Sequence, residues 1–194
     1  MIAIIDYNAG NTTSVKNAIE RLGFPAIVTN DPERIKRADK VIFPGVGEAS
    51  TAMKFLKEKQ LDKVITSLKQ PVLGICLGQQ LLCSFSEEGT TECLGIFPVN
   101  VKCFPATDLV PHIGWNNLQN MKSGLFEEIQ ITDDVYFVHS YYAELSDYTI
   151  ATCDYILPYS AAMKKDNFYA VQFHPEKSAT VGEQILRNFL VNTE

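Results

Sequence analysis

The sequence predicts an α/β fold, in which a mixed, largely parallel sheet is flanked by helices and the second half of the chain adds an antiparallel section. Short apolar runs alternate with helix-forming segments over the first two-fifths of the chain. These runs are apolar at nearly every position, which is typical of strands that are covered on both faces. From about residue 95 to residue 171, strand-like runs follow one another with few helices between them.

The first half of the chain supplies the predicted parallel strands and their helices. Four apolar runs are predicted as buried strands: residues 2–5, 26–29, 41–43 and 71–75. Apolar residues recur at helical spacing after the first run and stop before Gly23, a residue that commonly follows a helix. Residues 49–69 are rich in helix formers, and residues 77–85 are predicted as an apolar helix.

The second half is predicted to contain the antiparallel section and one closing helix. Strand-like runs lie at residues 99–104, 135–138, 149–153 and 169–173. Val181, Ile185 and Phe189 then recur every four residues, which is typical of an amphipathic helix. Because no repeat, low-complexity tract or polar linker interrupts the 194 residues, we expect a single domain over residues 1–194.

Composition and charge exclude several classes of function. The chain is 46% hydrophobic and 21% charged, as in an ordinary soluble globular protein. Its net charge of −6 gives it no electrostatic grip on nucleic acid or on an anionic membrane, so neither is expected as a partner. The apolar run at residues 2–5 stops at Asp6, which is far too short for a signal peptide or a membrane span.

The cysteines indicate a reduced, cytoplasmic protein. There are five, an odd number, and no two of them form a C-x-x-C pair, so neither a complete disulfide set nor a zinc site is predicted. Most of them are expected to be small core residues. We therefore predict no metal and no cofactor, and we expect one or two cysteines to be chemically special.

Residues 71–80 carry the most informative pattern for chemistry. A buried strand runs into a helix through Gly74-Ile75-Cys76-Leu77-Gly78, the nucleophile-elbow pattern with cysteine in place of serine. Glycine is needed where a sharp strand-to-helix turn brings neighbouring backbone too close for side chains. At the start of a helix, the positive end of the helix dipole favours the thiolate form of Cys76. The same pattern also fits a glycine-rich turn that merely buries a cysteine.

A histidine and a glutamate near the C-terminus are the candidate base and its orienting acid. His174-Pro175-Glu176 follows a predicted strand, where a spacing of two points both side chains to one face. Pro175 biases His174 towards extended backbone. A thiolate needs a base that shuttles its proton, and that base needs a carboxylate to set its tautomer. Cys76, His174 and Glu176 therefore form a candidate triad, although a histidine capped by a carboxylate is also a common structural pair.

These patterns resemble the class I, or triad, glutamine amidotransferase family. The segments that carry the resemblance are Gly74-Ile-Cys-Leu-Gly-x-Gln80, Phe173-His-Pro-Glu176 and the oxyanion-loop-like Pro44-Gly45-Val46-Gly47. The resemblance covers essentially the whole chain with its motifs in the right order. It implies the family's flavodoxin-like version of the fold predicted above. One residue departs from the pattern, because Gln79 occupies a position that is often methionine in the most similar branch.

The resemblance implies a role for each matching residue. Cys76 would attack the carboxamide of glutamine to give a glutamyl thioester, and His174, oriented by Glu176, would protonate the leaving ammonia and then activate water. The residues whose backbone N–H groups would hold the oxyanion are Leu77 with Val46 or Gly47. The residues that match the family's glutamine-binding positions are Gln80, Glu88, His139 and Ser140. We expect His139 to act through its backbone rather than as an acid or base.

Two further segments indicate a branch of the family and its partner. Residues 6–11 and 110–116 look like those of the glutaminases that serve histidine biosynthesis. That likeness implies a heterodimer with a (β/α)₈-barrel cyclase, which would use the ammonia to make imidazole glycerol phosphate and an aminoimidazole-carboxamide ribonucleotide. The residues that match positions near that interface are Asn11, Trp115, Asn116, Tyr136 and Lys177. Trp115, the only tryptophan, fits either an aromatic anchor or an ordinary core residue.

Several alternatives share part of this pattern. The same chemistry could serve vitamin B6, purine or anthranilate synthesis, although Gly114-Trp115-Asn116 speaks against these pathways. A duplicate of the histidine-pathway subunit that has been recruited to surface-sugar biosynthesis also fits the sequence. A stand-alone cysteine hydrolase or peptidase is disfavoured by Gln80 and Glu88, and a catalytically silent binding subunit is disfavoured by the intact triad.

Overall fold

The structure is a computed structural model that describes residues 1–8 and 10–193; Ala9, within the 6–11 segment, and Glu194 lie outside the described residues. In this part of the chain the main sheet has seven strands: β1 (Ile2–Ile5), β2 (Ala26–Thr29), β3 (Lys40–Phe43), β4 (Val72–Ile75), β11 (Thr149–Asp154), β12 (Pro158–Lys165) and β13 (Phe168–Val171). Their order is β11-β12-β13-β4-β3-β1-β2. The pairs from β13 to β2 are parallel, and β11 and β12 add antiparallel pairs. The predicted mixed, largely parallel sheet is confirmed.

Helices cover both faces of this sheet. They are α1 (Thr12–Arg21), α2 (Pro32–Arg37), α3 (Ala49–Glu58), α4 (Leu61–Ser67), α5 (Leu77–Leu82) and α6 (Ala179–Asn192). Alternate residues of a strand point to opposite faces, so Ile2 and Ile4 join the core under α1 and α6. Ala3 and Ile5 join the core under the other four helices. This two-sided burial is why the central strands are apolar at every position.

The second half of the chain builds two smaller sheets. The strands β5 (Phe85–Ser86), β6 (Thr91–Glu92), β7 (Asn100–Cys103) and β10 (Tyr141–Ala143) form one, in the order β10-β7-β5-β6. The strands β8 (His112–Asn117) and β9 (Asp134–His139) form an antiparallel pair. The backbone N–H of His174 donates to the Tyr136 carbonyl at 2.9 Å, which ties β9 to the chain segment that follows β13.

Two helix predictions were wrong in their extent. The apolar helix predicted over residues 77–85 ends at Leu82, because the backbone of Cys83 is extended and Phe85 begins β5. The helix-rich stretch 49–69 is divided into α3 and α4, since Gln60 adopts a left-handed conformation with φ of 56°. In both places the local chain favours helix, and tertiary pairing or a turn ends it earlier.

Two strands escaped the sequence analysis. β8 covers residues 112–117, where we expected a turn, and His112 begins this strand rather than lying in a turn. β12 contains the run Ser160-Ala161-Ala162, which lacks the branched residues that usually mark strands, yet its six central positions are mostly fully buried. Over residues 1–8 and 10–193 there is no helix with the length and apolar character that crossing a membrane requires.

Candidate active site

Cys76 lies at the turn between β4 and α5. Its backbone is in an unusual conformation, with φ of 53° and ψ of −108°, which places the side chain at the tip of a strained strand-to-helix turn. A Cβ on Gly78 would lie 1.8 Å from the Phe43 carbonyl oxygen, and one on Gly74 would lie 2.8 Å from Leu82 Cδ1. Any side chain at Gly78 would push α5 off the sheet. The structure therefore gives both glycines the packing reason that the elbow pattern predicts.

The Cys76 sulfur borders a cavity of about 300 Å³. Two groups contact it: the Val138 carbonyl oxygen at 3.9 Å, and the Gln172 side-chain nitrogen at 3.6 Å. Cys76 is 7% exposed, so the sulfur is reached through this cavity and not from the open surface. The position suits a nucleophile that meets a small molecule held in a pocket.

His174 and Glu176 form a buried pair behind the nucleophile. His174 Nδ1 lies 2.7 Å from Glu176 Oε1, and neither side chain is exposed to solvent. The same carboxylate oxygen accepts a hydrogen bond from Asn11 Nδ2 at 2.5 Å. Ser178 Oγ donates to the His174 carbonyl at 2.7 Å, which fixes the backbone of the pair.

The geometry that joins this pair differs from the prediction. The strand expected over residues 169–173 is Phe168–Val171, so it ends before His174. Pro175–Lys177 form a 3₁₀ turn, and the two side chains meet across this turn rather than along one face of an extended strand. Proline fits the first position of such a turn because its φ is already fixed and its missing N–H is not needed there.

The charge state of His174 is set by its two neighbours. Burial lowers the pKa of His174, but the interactions with Cys76 and then with Glu176 outweigh burial and raise that pKa to about 10. His174 is therefore an imidazolium near neutral pH. Its Nε2 atom has no hydrogen bond of ordinary geometry within the described chain, so the ring and the sulfur interact without being fully engaged. Loose pairing of this kind is common before substrate binds.

The cavity brings together most of the predicted site residues. Its lining includes the following predicted residues: Val46, Gly47, Cys76, Leu77, Gln80, Glu88, His139 and Ser140. They come from the ends of different elements, since β3, β4 and β9 all end at this edge. Glu88 Oε2 accepts from the Ala49 N–H at 2.8 Å. Burial raises the pKa of Glu88, while the bond from Ala49 lowers it and the charge of Glu48 raises it.

The predicted oxyanion donors are in place, but one of them is engaged. The Leu77 N–H donates to the Gly45 carbonyl at 3.3 Å, a long hydrogen bond. Val46 and Gly47 line the same cavity, and Gly47 has φ of 121°, a conformation that L-residues rarely adopt. An oxyanion at Leu77 would have to replace the Gly45 carbonyl as the acceptor.

His139 and His112 belong to a separate, neutral cluster. His139 Nδ1 donates to the Tyr141 carbonyl at 2.8 Å, and Tyr159 Oη lies 3.2 Å from both His139 Nε2 and His112 Nδ1. Burial lowers the pKa of His112 to about 4. Burial also lowers the pKa of His139 to about 3; the bond to Tyr141 opposes this, and the charges of His112 and His174 add to it. A neutral, fully hydrogen-bonded ring agrees with a positional role for His139.

The predicted interface residues fall into two groups. Trp115 is 54% exposed, so the core interpretation is wrong, and its ring contacts that of Tyr136 at 5.8 Å. Lys177 is exposed as well, and Asn116 Nδ2 donates to the Asp154 carbonyl at 3.1 Å. Asn11 instead points its amide at Glu176, a contact that no sequence signal indicated.

Some residues around the cavity were missed. Pro111 and Tyr141 line it, and Gln172 contacts the nucleophile. Gln172 lies two residues before His174, so a strand-like alternation could have placed it on the same side as the base. Among the described residues, no cluster of three or more histidine, cysteine, aspartate or glutamate side chains is placed to hold a metal ion.

A strained cysteine at a strand–helix turn, a buried imidazolium and an orienting carboxylate define a triad hydrolase or amidotransferase. The family profile "Glutamine amidotransferase class-I" matches residues 3–193. The chain therefore belongs to the class I glutamine amidotransferases, a family of enzymes. Two solved structures share the fold: a glutamine amidotransferase, with a TM-score of 0.76, 19% identity and coverage of 98% and 97% of the two chains, and a putative GMP synthase component from Thermoplasma acidophilum, with 0.74, 22%, 97% and 91%.

Curated relatives narrow the branch. The chain is 57% identical to the imidazole glycerol phosphate synthase subunit HisH of Bacteroides fragilis strain YCH46, over 97% of this chain and 98% of that one. It is 46% identical to the same subunit of Vibrio parahaemolyticus, over 97% of each chain. It is 48% identical to the subunit named HisH 2 of Legionella pneumophila strain Paris, over 98% and 97%. The resemblance to the histidine-pathway glutaminases is confirmed, and glutamine amidotransferase function of the HisH type is the functional statement that these relatives carry.

Proposed function

We propose that this chain, as a single glutaminase domain, hydrolyses glutamine to glutamate and ammonia and delivers the ammonia to a cyclase partner. The partner would be a (β/α)₈ barrel that makes imidazole glycerol phosphate and an aminoimidazole-carboxamide ribonucleotide. The observation that carries the proposal is the imidazolium of His174 between Cys76 and Glu176, at the wall of a small cavity. The names of the curated relatives favour this pathway over the other glutamine-dependent pathways.

The chemistry follows from the charge states of Cys76 and His174. The thiolate attacks the carboxamide carbon, a C–S bond forms, and the C–N bond breaks as the His174 imidazolium gives its proton to the departing ammonia. The neutral ring then takes a proton from water while the resulting hydroxide attacks the thioester. Glutamate leaves, and the thiolate and imidazolium are restored. Glu176, held by Asn11, keeps the ring in the tautomer that this cycle needs.

The oxyanion of each tetrahedral intermediate would be held by backbone N–H groups. Leu77 supplies one, once its bond to Gly45 is given up, and Val46 or Gly47 supplies the other. Each such donor is worth roughly 3 kcal/mol of transition-state stabilisation. Because the Leu77–Gly45 bond is long, its loss costs little compared with that gain.

The cavity suits glutamine in size and charge. A volume of about 300 Å³ lies at the lower end of the range for small-molecule sites. Glu88 would pair with the α-ammonium group, and it is held in place by the N–H of Ala49. Gln80 Nε2 already donates to the Tyr141 carbonyl and to Gln172, so a substrate N–H would meet its carbonyl oxygen. His139 and Ser140 would shape the wall through their backbone.

The contact with the cyclase would be centred on Trp115. The register of the β8–β9 pair places Trp115 opposite Tyr136, and the two rings form an exposed aromatic pair. Exposed aromatic residues are favoured anchors at protein interfaces. Lys177, Asn116 and Asn11 would lie near this contact, with Asn11 also bonded to the triad carboxylate.

The first test separates the nucleophile from the cyclase reaction. Cys76→Ala should abolish glutamine-dependent synthesis by the complex of the two proteins and leave synthesis from added ammonium salt intact, since only glutamine hydrolysis needs the thiolate. Cys83→Ala is the matched control, because burial raises the pKa of that thiol and Cys83 lies on the same side of the turn without touching the cavity. Equal loss with glutamine and ammonium would contradict the assigned role, and turnover of peptides by the lone chain would favour a stand-alone hydrolase.

The second test addresses the partner contact. Trp115→Ala should weaken binding of the cyclase about tenfold or more, as truncated aromatic anchors do, while the melting temperature of the isolated chain stays close to that of the wild type. Ile131→Ala, which also truncates an exposed apolar side chain, is the control for general surface effects. Unchanged affinity, measured by calorimetric titration, would remove Trp115 from the proposed interface.

A further inference from the structure

Gln172 is a fully buried glutamine next to the nucleophile that the triad chemistry does not use. It follows β13 directly, and its backbone N–H donates to the Ala161 carbonyl at 2.8 Å. Its side-chain nitrogen Nε2 lies 3.6 Å from Cys76 Sγ, and its Oε1 accepts from Gln80 Nε2 at 3.0 Å. A buried polar side chain with all of its partners in one site is held there by those partners.

The network determines which way the Gln172 amide faces. Gln80 Nε2 donates to the Tyr141 carbonyl at 3.0 Å and to Gln172 Oε1 at 3.0 Å. If the Gln172 amide were turned over, its NH₂ group would meet the NH₂ group of Gln80, and its oxygen would meet the sulfur. Two donors facing each other are unfavourable, so the observed orientation is the one that satisfies every group. Gln172 therefore presents an N–H to the sulfur.

The two polar neighbours of the sulfur favour opposite forms of the thiol. The Val138 carbonyl oxygen, at 3.9 Å, can only accept a proton from the S–H form. The Gln172 N–H can only donate, so it favours the thiolate, because a hydrogen bond to the charged form stabilises that form. The donor also restricts where the sulfur lies, since the amide itself is fixed by Gln80 and by the backbone bond to Ala161.

We infer that Gln172, oriented by Gln80, is a direct hydrogen-bond donor to Cys76 that favours the thiolate and aims the sulfur into the cavity. The inference rests on the proposed function and deepens it. It gives Gln80 a second role, because a residue matched to substrate binding also orients the group that stabilises the nucleophile. It also explains why a glutamine is buried two residues before the base: one chain segment brings His174 and the donor to the same sulfur.

The test follows alkylation of Cys76 by iodoacetamide as a function of pH in the full chain. Site-resolved mass spectrometry is required because Cys103 is exposed and reacts as well. Gln172→Met keeps the volume and removes the donor, so the pH midpoint of Cys76 alkylation should rise by about one unit. Gln172→Glu keeps the shape and turns an oxygen to the sulfur, so its midpoint should rise at least as far.

The matched control is Gln79→Met. Gln79 is also fully buried and adjacent to the nucleophile, but its amide donates to the Ser160 carbonyl and makes no contact with the sulfur. Its alkylation midpoint should equal that of the wild type. An unchanged midpoint in folded Gln172→Met, or an equal shift in Gln79→Met, would overturn the inference.

A second measurement needs no substitution at Gln172. In the wild type, the side-chain amide protons of Gln172 should shift in the NMR spectrum as Cys76 titrates, and in Cys76→Ala they should be independent of pH. Amide shifts that do not change with pH in the wild type would overturn the inference even if both Gln172 variants failed to fold. A wild-type complex without glutamine-dependent synthesis would instead overturn the proposed function, so the two failures are distinguishable.

Discussion

The three histidines of this chain form two clusters that burial affects alike and that nevertheless carry different charges. His174, His139 and His112 are all at least 94% buried, and burial lowers the pKa of each. His174 has a thiol and a carboxylate as neighbours, and its pKa is raised to about 10 despite burial. His139 and His112 have a carbonyl, a phenol and each other, and their pKa values fall to about 3 and about 4.

The difference shows what makes a buried histidine useful for proton transfer. The neutral cluster is packed by aromatic rings: His112 stacks on Phe137 at 4.8 Å and on Tyr155 at 4.0 Å. No acidic side chain is hydrogen-bonded to it in the described chain. The charged cluster has one carboxylate oxygen shared by His174 and Asn11. Counter-charge, rather than burial or nearness to the cavity, identifies the base.

The largest expected effect separates the two clusters by activity. His174→Asn should lower the rate of glutamine hydrolysis in the complex by about 10³-fold, because both proton transfers are lost. His139→Asn should lower it by no more than about tenfold, since the ring only holds the cavity wall. Both substitutions keep a polar group at the site. Similar losses in kcat for the two variants would mean that the charged and neutral clusters do not differ in role.

A smaller effect concerns stability at acid pH. Because the folded-state pKa of His139 is about 3 and the unfolded value is about 6.5, the unfolded chain binds more protons as pH falls below 6.5. We expect His139 alone to remove about 3 kcal/mol of unfolding free energy between pH 6.5 and pH 4. His174 has the opposite sign, and its contribution is present below pH 6.5 and lost as pH rises through about 10.

Chemical denaturation at a series of pH values measures both trends. In His139→Asn the slope of unfolding free energy against pH, between pH 4.5 and pH 6, should be smaller than in the wild type by about one proton. The other two histidines are unchanged in this variant and serve as the internal reference. An identical slope would show that His139 is not held neutral in the folded chain.

The sequence located the charged cluster well because its parts lie at predictable ends. Cys76 follows β4 and His174 follows β13, and these strands are parallel neighbours, so their carboxyl ends meet at one edge of the sheet. Val46 and Gly47 follow β3, which pairs with β4, and they reach the same edge. Once the strands were recognised, the meeting of these residues required no further information.

The remaining features depend on packing that no local pattern records. The bond between Asn11 and Glu176 joins residues 165 positions apart and depends on how α1 sits against the 3₁₀ turn. The turn itself was mistaken for strand, because Pro175 is compatible with both. The aromatic packing around His112 required β8, which was not recognised as a strand. Tertiary contacts decided each of these cases.

The most direct test of the account is an NMR titration of the three imidazole rings in ¹⁵N-histidine-labelled chain. We predict that His174 stays protonated at pH 8 while His112 and His139 stay neutral down to pH 5. In Cys76→Ala the pKa of His174 should fall, because its largest stabilising neighbour is gone. If His174 titrates near its ordinary value of about 6.5 in both proteins, the imidazolium–thiolate pair at the centre of this account does not exist.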